Sequence, residues 1–376
     1  MHRFYCFALS CVLVALLPNL GRAVLIATGN GVGNTTAPAN DPGFANIASA
    51  QGRTGSAVYL GNGWMLTANH VGAGATLLDG VIYDAVPGSA HQLMNMPGAT
   101  NTQLADMLVY QIDGAPNLPS LQIAASAPQS GQAVTMIGDG RNRALTTSSF
   151  AVQSGSWKLL GSALPTAAHK GFTWAGSNQI RWGTNTVDGI GFPQGSGSTQ
   201  NVSFSMSFSA TNATPYEAIG TSGDSGGGVF AYNQATRSWE LMGLMSAYSQ
   251  FTSQPANLSV YGNMTYAIQL SSYRDQILSY LTPGDVNGDG LVDIRDITYT
   301  ANNWSKETPA GDANHDGVID ANDVTYIANR WSDGQMPPQS LMVVPEPATC
   351  SLAIAALTSA LPLALRHVSR RSRSGS

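Results

Sequence analysis

The chain has 376 residues, of which 43% are hydrophobic, and it carries a formal net charge of −5. This composition is globular and leaves room for two ordinary domains with additional processing segments. Only 10% of the residues are charged and no basic patch occurs in the body of the chain, which argues against nucleic acid as a partner. The three cysteines all lie in predicted targeting segments, so they do not indicate the redox compartment.

Residues 1–23 are predicted to form a signal peptide. After His2 and Arg3, an apolar run that is short for a membrane span leads to Gly21-Arg22-Ala23, which is a plausible cleavage site. The alternative is that this run forms a buried N-terminal strand or helix.

Residues 24–282 alternate short apolar runs with Gly, Asn and Ser clusters, which predicts an all-β domain. A hairpin is predicted from strands at 56–60 and 64–67, because the Asn-Gly pair between them accepts positive φ angles. Further strands are predicted to begin at Asp106, Gln132, Gln179, Val202, Gly227 and Leu241, and a helix is predicted to end at Leu281.

Two motifs in this domain hold residue types that acyl transfer requires. His70 follows a predicted strand in TANHV, and Ser225 lies among glycines in GDSGGG. A serine nucleophile needs a base, a group that orients the base, and donors for the oxyanion. Glycines beside the serine allow a sharp turn that can direct the amides of Gly223 and Ser225 into one pocket.

TANHV resembles the motif around the catalytic histidine of chymotrypsin-family serine proteases, and GDSGGG resembles the motif around their catalytic serine. Asp106, in ADMLVYQI, resembles the aspartate of that family, and the order His, Asp, Ser also agrees. The resemblance covers residues 24–281 and implies a chymotrypsin-like double β-barrel. It implies that Ser225 is the nucleophile, His70 the base, Asp106 its orienting residue, and Gly223 an oxyanion-hole residue, with no cofactor for catalysis.

The sequence departs from the family at several positions. Val71 replaces the cysteine that usually follows the histidine, and Gly228 replaces the final proline of the serine motif. The resemblance places the specificity pocket at Ile219, Ser246 and Tyr248. Since Ile219 stands where a trypsin carries an aspartate, the pocket is expected to favour small or medium apolar side chains over Lys or Arg.

The resemblance also raises an activation step. Asp224 often pairs with a freed N-terminal amine in this family, and cleavage after Ala23 would free Val24 for that role. Many bacterial members have other solutions, so both possibilities stay open.

Residues 283–333 form an Asp- and Asn-rich module after the Pro283-Gly284 boundary, and they contain an internal repeat. Oxygen side chains at loop positions 1, 3 and 5, glycine at 6, a backbone carbonyl at 7 and a carboxylate at 12 are typical of EF-hand calcium loops. Two Ca²⁺ sites are therefore predicted. The predicted ligands are Asp285, Asn287, Asp289, Leu291, Asp293 and Asp296 in the first loop and Asp312, Asn314, Asp316, Val318, Asp320 and Asp323 in the second.

Position 12 of both loops is Asp, where the common EF-hand has Glu. This change and the tandem spacing resemble a type I dockerin, a small α-helical module that usually binds a cohesin domain. The alternative is a calcium-stapled spacer. Because the module is small, metal is expected to be needed for its folding.

Residues 334–343 are predicted to be a linker and residues 344–376 a sorting signal. The apolar stretch at 348–365 is just long enough to span a bilayer core, and a basic cluster follows it. With Val344-Pro345-Glu346-Pro347 before it, the tail resembles a PEP-CTERM signal, which implies recognition by membrane sorting machinery and an envelope or extracellular location. A permanent tail anchor is the alternative.

Together these features predict an exported serine endopeptidase that cleaves protein or peptide substrates and carries a calcium-binding dockerin. One alternative is a catalytically inactive protease-fold binding or scaffold protein of the cell envelope that docks through the dockerin. Another is a noncatalytic adhesin, which would leave the histidine and serine motifs unexplained.

Overall fold

The computed structural model describes residues 24–332, apart from residues 32, 163–166, 176–177 and 212. The predicted signal peptide, linker and sorting signal lie outside the described residues, as does the predicted span at 348–365. The chain divides into two compact units, a first unit that ends at Leu281 and a second that begins at Thr282. None of the helices in the described ranges has the length and apolar character needed to cross a bilayer.

The first unit is built mainly from strands. In chain order they are β1 Leu25–Ile26, β2 Ile47–Ala50, β3 Ser56–Gly61, β4 Trp64–Ala68, β5 Thr76–Leu78, β6 Val81–Tyr83, β7 His91–Met94, β8 Leu104–Gln111, β9 Ala133–Gly138, β10 Asn142–Arg143, β11 Ser148–Gln153, β12 Ser156–Ser162, β13 His169–Ala175, β14 Arg181–Thr186, β15 Phe192–Ser196, β16 Thr199–Ser207, β17 Ala218–Ile219, β18 Gly228–Asn233, β19 Ser238–Tyr248, β20 Leu258–Val260 and β21 Met264–Gln269. Short 3₁₀ helices occur at Phe44–Asn46 and Leu270–Ser272, and helix α1, Arg274–Leu281, closes the unit.

Most strands belong to one extended sheet in the order β14-β9-β18-β19-β21-β16-β8-β4-β3-β2-β5-β6, with β15 beside β16 and β7 beside β8. Strands β2 to β8 form one half of this sheet, and the strands from β9 onward form the other. The halves meet through a parallel pairing of Thr199 in β16 with Leu104 in β8. The predicted all-β fold is confirmed, and its extended sheet divides into two strand halves.

The predicted hairpin is also confirmed. Strands β3 and β4 pair antiparallel, and the turn between them holds Asn62 at φ 51° and Gly63 at φ 80°. Asparagine and glycine tolerate this left-handed conformation better than other residues, which explains why the turn forms there.

Both faces of the central strands are buried, and alternate residues serve different cores. In β8, Met107 and Val109 join the cluster shared by both halves, whereas Leu108 and Tyr110 join the cluster confined to the first half. This two-residue period places Asp106 on the same face as Leu108. The strand that carries Asp106 is therefore fixed by packing on both sides.

A second, five-stranded sheet contains β10, β13, β11, β12 and β20. Beside it the first described residues of the chain are tied to the body of the unit. Strand β1 pairs antiparallel with β17, so that Leu25 lies opposite Ile219. The buried guanidinium of Arg143 donates hydrogen bonds to the carbonyl oxygens of Ile26, Ala27 and Gly29 at 2.6, 3.0 and 2.7 Å. The segment after residue 23 is thus part of the folded unit.

The second unit contains two short helices, α2 Ile294–Asn302 and α3 Ala321–Ala328. Each begins with a capping box, formed by Asp293 and Asp296 in α2 and by the equivalent aspartates in α3. The apolar cluster of the second unit is built around the buried residues Val286, Val292, Ala313 and Ile327. The expectation of a small helical module after the all-β unit is confirmed.

Candidate active site and calcium loops

His70 lies in the turn directly after β4. Its backbone N–H donates a hydrogen bond to Asp106 Oδ1 at 2.9 Å, and its Nδ1 lies 2.6 Å from Asp106 Oδ2. Strands β4 and β8 pair antiparallel with Ala68 opposite Met107. This register brings the Asp106 carboxylate to the backbone N–H and to the ring Nδ1 of His70. A proton on Nδ1 that is shared with the carboxylate leaves Nε2 of a neutral imidazole as an acceptor.

The two side chains differ in their exposure to solvent. The side chain of His70 is 47% exposed, whereas that of Asp106 is 17% exposed. The ring is therefore open to an approaching substrate while the carboxylate beneath it is partly shielded. This is the arrangement expected of a general base held by an orienting residue.

Asn201 supports Asp106 from the other half of the sheet. Its side-chain oxygen accepts a hydrogen bond from the backbone N–H of Asp106 at 2.7 Å, and the residue is only 1% exposed. It lies in β16, two residues after the parallel pairing that joins the halves. Sequence reasoning missed Asn201, because nothing in the local sequence marks a buried asparagine in a serine-rich strand as a partner of a distant aspartate.

Ser225 lies in the loop between β17 and β18, pressed against the end of the β3–β4 hairpin. Its carbonyl accepts a hydrogen bond from the backbone N–H of Ser56 at 2.8 Å. Gly226, at φ 85°, packs so closely that a Cβ there would come within 2.0 Å of the Ser56 carbonyl oxygen and 2.5 Å of Thr67 Oγ1. Glycine is thus required at this position. Through it the loop packs against Thr67 of β4, which lies three residues before His70.

The Ser225 hydroxyl donates a hydrogen bond to the carbonyl of Ser246 at 3.3 Å. Among the described residues it has no hydrogen bond to His70. The structure therefore brings His70 and Asp106 into direct contact, and it places the serine beside their strands with its hydroxyl turned to another partner.

The loop also holds three backbone amides without an acceptor among the described residues, those of Ser222, Gly223 and Ser225. The N–H of Asp224 bonds to Thr221 and that of Gly226 bonds to Met245, whereas within the described residues the N–H groups of Gly223 and Ser225 have no acceptor. These are the two amides predicted to form the oxyanion hole. Gly223 has φ 103°, and its carbonyl accepts a hydrogen bond from Ser56 Oγ at 2.8 Å. Ser56 therefore fixes the Gly223–Asp224 peptide, which lies between the two candidate oxyanion amides.

Asp224 is fully buried beneath this loop. Its carboxylate accepts hydrogen bonds from the backbone N–H of Thr221 at 2.8 Å, from the Thr221 hydroxyl at 3.0 Å and from the backbone N–H of Gly140 at 2.9 Å. Burial raises its pKa to about 7, and the nearby charge of Asp139 adds to this effect. Within the described residues none of its donors is Val24, the partner that the family resemblance suggested.

The predicted specificity residues lie around the same loop. Ile219 is 1% exposed and clusters with Leu25, Phe172 and Phe208. Tyr248 packs edge to face against Trp174, with ring centroids 5.6 Å apart. Ser246 accepts the Ser225 hydroxyl, as described above. An open cleft elsewhere in the unit, lined by residues that include Asp41, Asn46 and Trp239, contains none of the predicted site residues. The assignment of a specificity pocket thus stays a prediction.

The two predicted calcium loops have nearly the same internal hydrogen bonds. The carboxylate at position 1 accepts the N–H of the position-6 glycine, at 2.8 Å between Asp285 and Gly290 and at 2.9 Å between Asp312 and Gly317. At position 12, Asp296 accepts the N–H groups of residues 286, 287 and 293, and Asp323 accepts those of residues 313, 314 and 320. The repeat found in the sequence is therefore a repeat in structure.

Side chains at the remaining predicted positions lie along each loop. The backbone N–H groups of Leu291 and Val318 donate to the position-5 carboxylates of Asp289 and Asp316. At position 3, the side-chain amide oxygens of Asn287 and Asn314 accept hydrogen bonds from the backbone N–H groups of those same aspartates. Asp293 and Asp320, at position 9, cap the helices that follow.

The chemistry of these loops fits Ca²⁺. Burial raises the pKa of Asp296 and of Asp312 to about 6, and neighbouring aspartates raise it further in both loops. Desolvated carboxylates crowded together are stabilised when a cation neutralises them. In the described part of the chain no three acidic, His or Cys side chains already converge as a metal cluster.

Comparison with known proteins identifies the second unit. Residues 283–330 match the family described as Dockerin type I domain. The second unit is therefore a dockerin type I domain, a calcium-binding module, as its repeated loops predicted.

Part of the chain is similar to solved protease structures, at low identity. Neuropsin, a serine protease expressed in the limbic system of mouse brain, is 15% identical with a TM-score of 0.40, and the match covers 65% of this chain and 96% of that one. The Rv3671c protease in its inactive form is 11% identical with a TM-score of 0.35, and the match covers 62% of this chain and 88% of that one. No curated protein matches the sequence. A catalytic role therefore depends on the geometry of His70, Asp106 and Ser225.

Proposed function

We propose that this chain is an exported serine endopeptidase that uses Ser225, His70 and Asp106 and carries a calcium-binding dockerin. The observation that supports catalysis most directly is the contact of Asp106 with both the ring and the backbone of His70. A histidine is fixed in this way after a strand, beside a serine loop in which the amides of Gly223 and Ser225 have no acceptor among the described residues. It is suited to acyl transfer.

In the proposed reaction, Ser225 Oγ attacks the scissile carbonyl while His70 Nε2 accepts the hydroxyl proton. The carbonyl oxygen becomes an oxyanion that the amides of Gly223 and Ser225 bind. His70 then gives the proton to the leaving amine as the peptide bond breaks, and an acyl-Ser225 ester forms. A water molecule loses a proton to His70 and attacks the ester, and the bond from the acyl carbon to Ser225 Oγ then breaks as His70 returns the proton to that oxygen, which releases the carboxylic acid product and restores the free serine. Asp106 stabilises the imidazolium at each step.

This reaction requires one rotation. The Ser225 hydroxyl must turn from the Ser246 carbonyl toward His70 Nε2. Catalytic hydrogen bonds are often absent or long before substrate binds, so the bond to Ser246 is compatible with activity.

The same bond is the observation that favours a second candidate function. If Ser225 stays bonded to the Ser246 carbonyl, the chain is an inactive protease-fold protein that acts as a scaffold through its dockerin. Covalent reactivity of the serine distinguishes the two candidates.

For the dockerin, the proposed ligands are the loop residues at positions 1, 3, 5, 7, 9 and 12. Calcium would neutralise the crowded aspartates and complete the fold of the module. The proposed partner is a cohesin domain on another protein, and the proposed location is the cell envelope or the outside of the cell, reached with the signal peptide and sorting machinery.

The test of catalysis is labelling of the full calcium-loaded chain with a fluorophosphonate. We expect one labelled serine, and we expect labelling to be lost in Ser225→Ala and in His70→Ala. Ser222→Ala is the matched control, because it removes a hydroxyl from the same loop without touching the proposed triad. A folded chain that does not react, or one that reacts equally well as Ser225→Ala, would exclude the endopeptidase and favour the scaffold.

A further inference from the structure

The first calcium loop contains a positive charge. The guanidinium of Arg295, at loop position 11, lies 2.8 Å from Asp289 Oδ2 and 2.7 Å from Asp293 Oδ2. Its Nε also donates to both oxygens of Asp293, at 3.2 and 3.1 Å. One side chain thus bridges position 5 and position 9, two of the proposed calcium ligands.

The second loop has no such charge. The residue equivalent to Arg295 is Asn322, whose amide lies 3.3 Å from the position-9 carboxylate of Asp320. The position-5 carboxylate of Asp316 accepts hydrogen bonds from the side-chain amide of Asn314 at 3.0 Å and from the backbone N–H of Val318 at 2.9 Å, and both donors are uncharged. Both loops contain four aspartates, and Arg295 is the only lysine or arginine in either loop, while the second loop holds His315 where the first has Gly288.

This difference acts directly on cation binding. A calcium ion entering the first loop must compete with the guanidinium for Asp289 and Asp293, and it meets the repulsion of a positive charge within a few ångströms. The second loop offers the same number of carboxylates, and the donors described above to Asp316 and Asp320 are uncharged. Because Arg295 is about half exposed, water and salt weaken its effect without removing it.

We infer that Arg295 makes the two calcium sites unequal, so that the second loop fills first and the first loop fills only at higher calcium concentration. This inference rests on the proposed calcium binding by both loops. Over a range of calcium concentration the module is then half-loaded, with calcium bound in the second loop, before α3, and none bound in the first loop, before α2. The ratio of the two dissociation constants is expected to be roughly threefold to thirtyfold, the range that one or two partly exposed ion pairs can produce.

The internal repeat supplies matched variants. Arg295→Asn gives the first loop the residue of the second, and Asn322→Arg gives the second loop the residue of the first. Calcium titration of the full chain by isothermal calorimetry, with chelator-treated protein, measures both dissociation constants. We expect two classes of site in the wild type. Arg295→Asn should lower the calcium dissociation constant of the weaker site, the first loop. Asn322→Arg should raise the calcium dissociation constant of the stronger site, the second loop. Higher salt should narrow the wild-type difference, because it screens the guanidinium.

The outcomes separate the inference from its premise. If the wild-type chain binds no calcium, the proposed calcium function fails. If it binds two ions with equal affinity, or if Arg295→Asn leaves both constants unchanged, calcium binding stands and the role of Arg295 is refuted. Arg295→Gln, which removes the charge and keeps a high helix propensity, repeats the test should the asparagine variant lose its helical circular dichroism signal at saturating calcium.

Discussion

Asn201 and Asp106 are joined by a hydrogen bond in which the backbone N–H of Asp106 donates to the Asn201 side-chain oxygen at 2.7 Å. Asn201 belongs to one half of the extended sheet and Asp106 to the other. The bond therefore fixes the strand that holds His70's carboxylate partner relative to the half that carries Ser225.

Replacing Asn201 with alanine is expected to lower the free energy of unfolding by about 1–3 kcal/mol, because a buried N–H loses its acceptor. We also expect slower fluorophosphonate labelling of Ser225, because Asp106 loses its support. Asn46→Ala is the control, since Asn46 is equally buried and bonded but touches none of the proposed triad. Equal labelling of the two variants at matched stability would assign Asn201 a purely structural role. Urea denaturation and labelling rates measure the two effects.

Gly223→Ala is expected to impair both stability and reactivity. At φ 103° an alanine is strained, and its Cβ would lie 2.7 Å from the carbonyl oxygen of Asp139. The strain alone costs about 1–2 kcal/mol, and relief of the clash would move a candidate oxyanion amide. Gly155→Ala isolates the strain, because Gly155 has φ 77° with no neighbour within 4 Å of an added Cβ. If both variants keep wild-type labelling rates, the Gly223 amide does not contribute to reactivity.

Stability is expected to decrease as pH rises through the acidic range. Burial raises the pKa of Asp139 from 3.8 to about 7, so the folded protein holds this proton more tightly than the unfolded chain does. The stabilisation is complete below the unfolded pKa and is lost as pH rises to the folded pKa. From Asp139 alone, the unfolding free energy should fall by on the order of a few kcal/mol between about pH 4 and about pH 7.

Asp139→Asn tests this expectation, because an amide cannot ionise. Its unfolding free energy, measured by urea denaturation at fixed calcium across that pH range, should depend less on pH than that of the wild type. Asp113→Asn, at an exposed aspartate, should retain the wild-type slope. An unchanged slope in Asp139→Asn would show that Asp139 is ionised in the folded protein over this range.

Removal of calcium is expected to expose the dockerin to proteolysis. Its apolar cluster is small, so the fold depends on neutralisation of the aspartates in its loops. Limited proteolysis with and without a chelator, read by mass spectrometry, should show new cuts within residues 283–330 only after chelation. Labelling of Ser225 should be unaffected. Protection that persists without calcium would mean that the module folds on its hydrogen bonds alone.

Much of the site could be anticipated from sequence because it depends on local motifs. The Asn-Gly hairpin, the strand before His70 and the aspartate repeat all follow from residue type and spacing. The contact of Asp106 with His70 followed from resemblance and was then explained by the register of β4 and β8.

Other features depend on contacts that sequence does not display. The strands β11 to β13 are rich in polar residues and lack a clear apolar alternation, so they were not predicted. The supporting roles of Ser56 and Asn201 arise from residues that approach across the sheet. In sequence, Arg295 has no feature that distinguishes it from other helix residues. Only the folded loop shows that its guanidinium lies between Asp289 and Asp293.

The division of the extended sheet has a consequence for how this chain folds. His70 and Asp106 lie in the half that is synthesised first, and Ser225 lies in the half that follows. A nascent or partly unfolded molecule in which a single half is structured holds either the base or the nucleophile, but not both. Reactivity should consequently emerge only when long-range strand pairing is complete, late in a slow, high-contact-order folding process. For the proposed endopeptidase, such timing would keep partly folded chains from reacting.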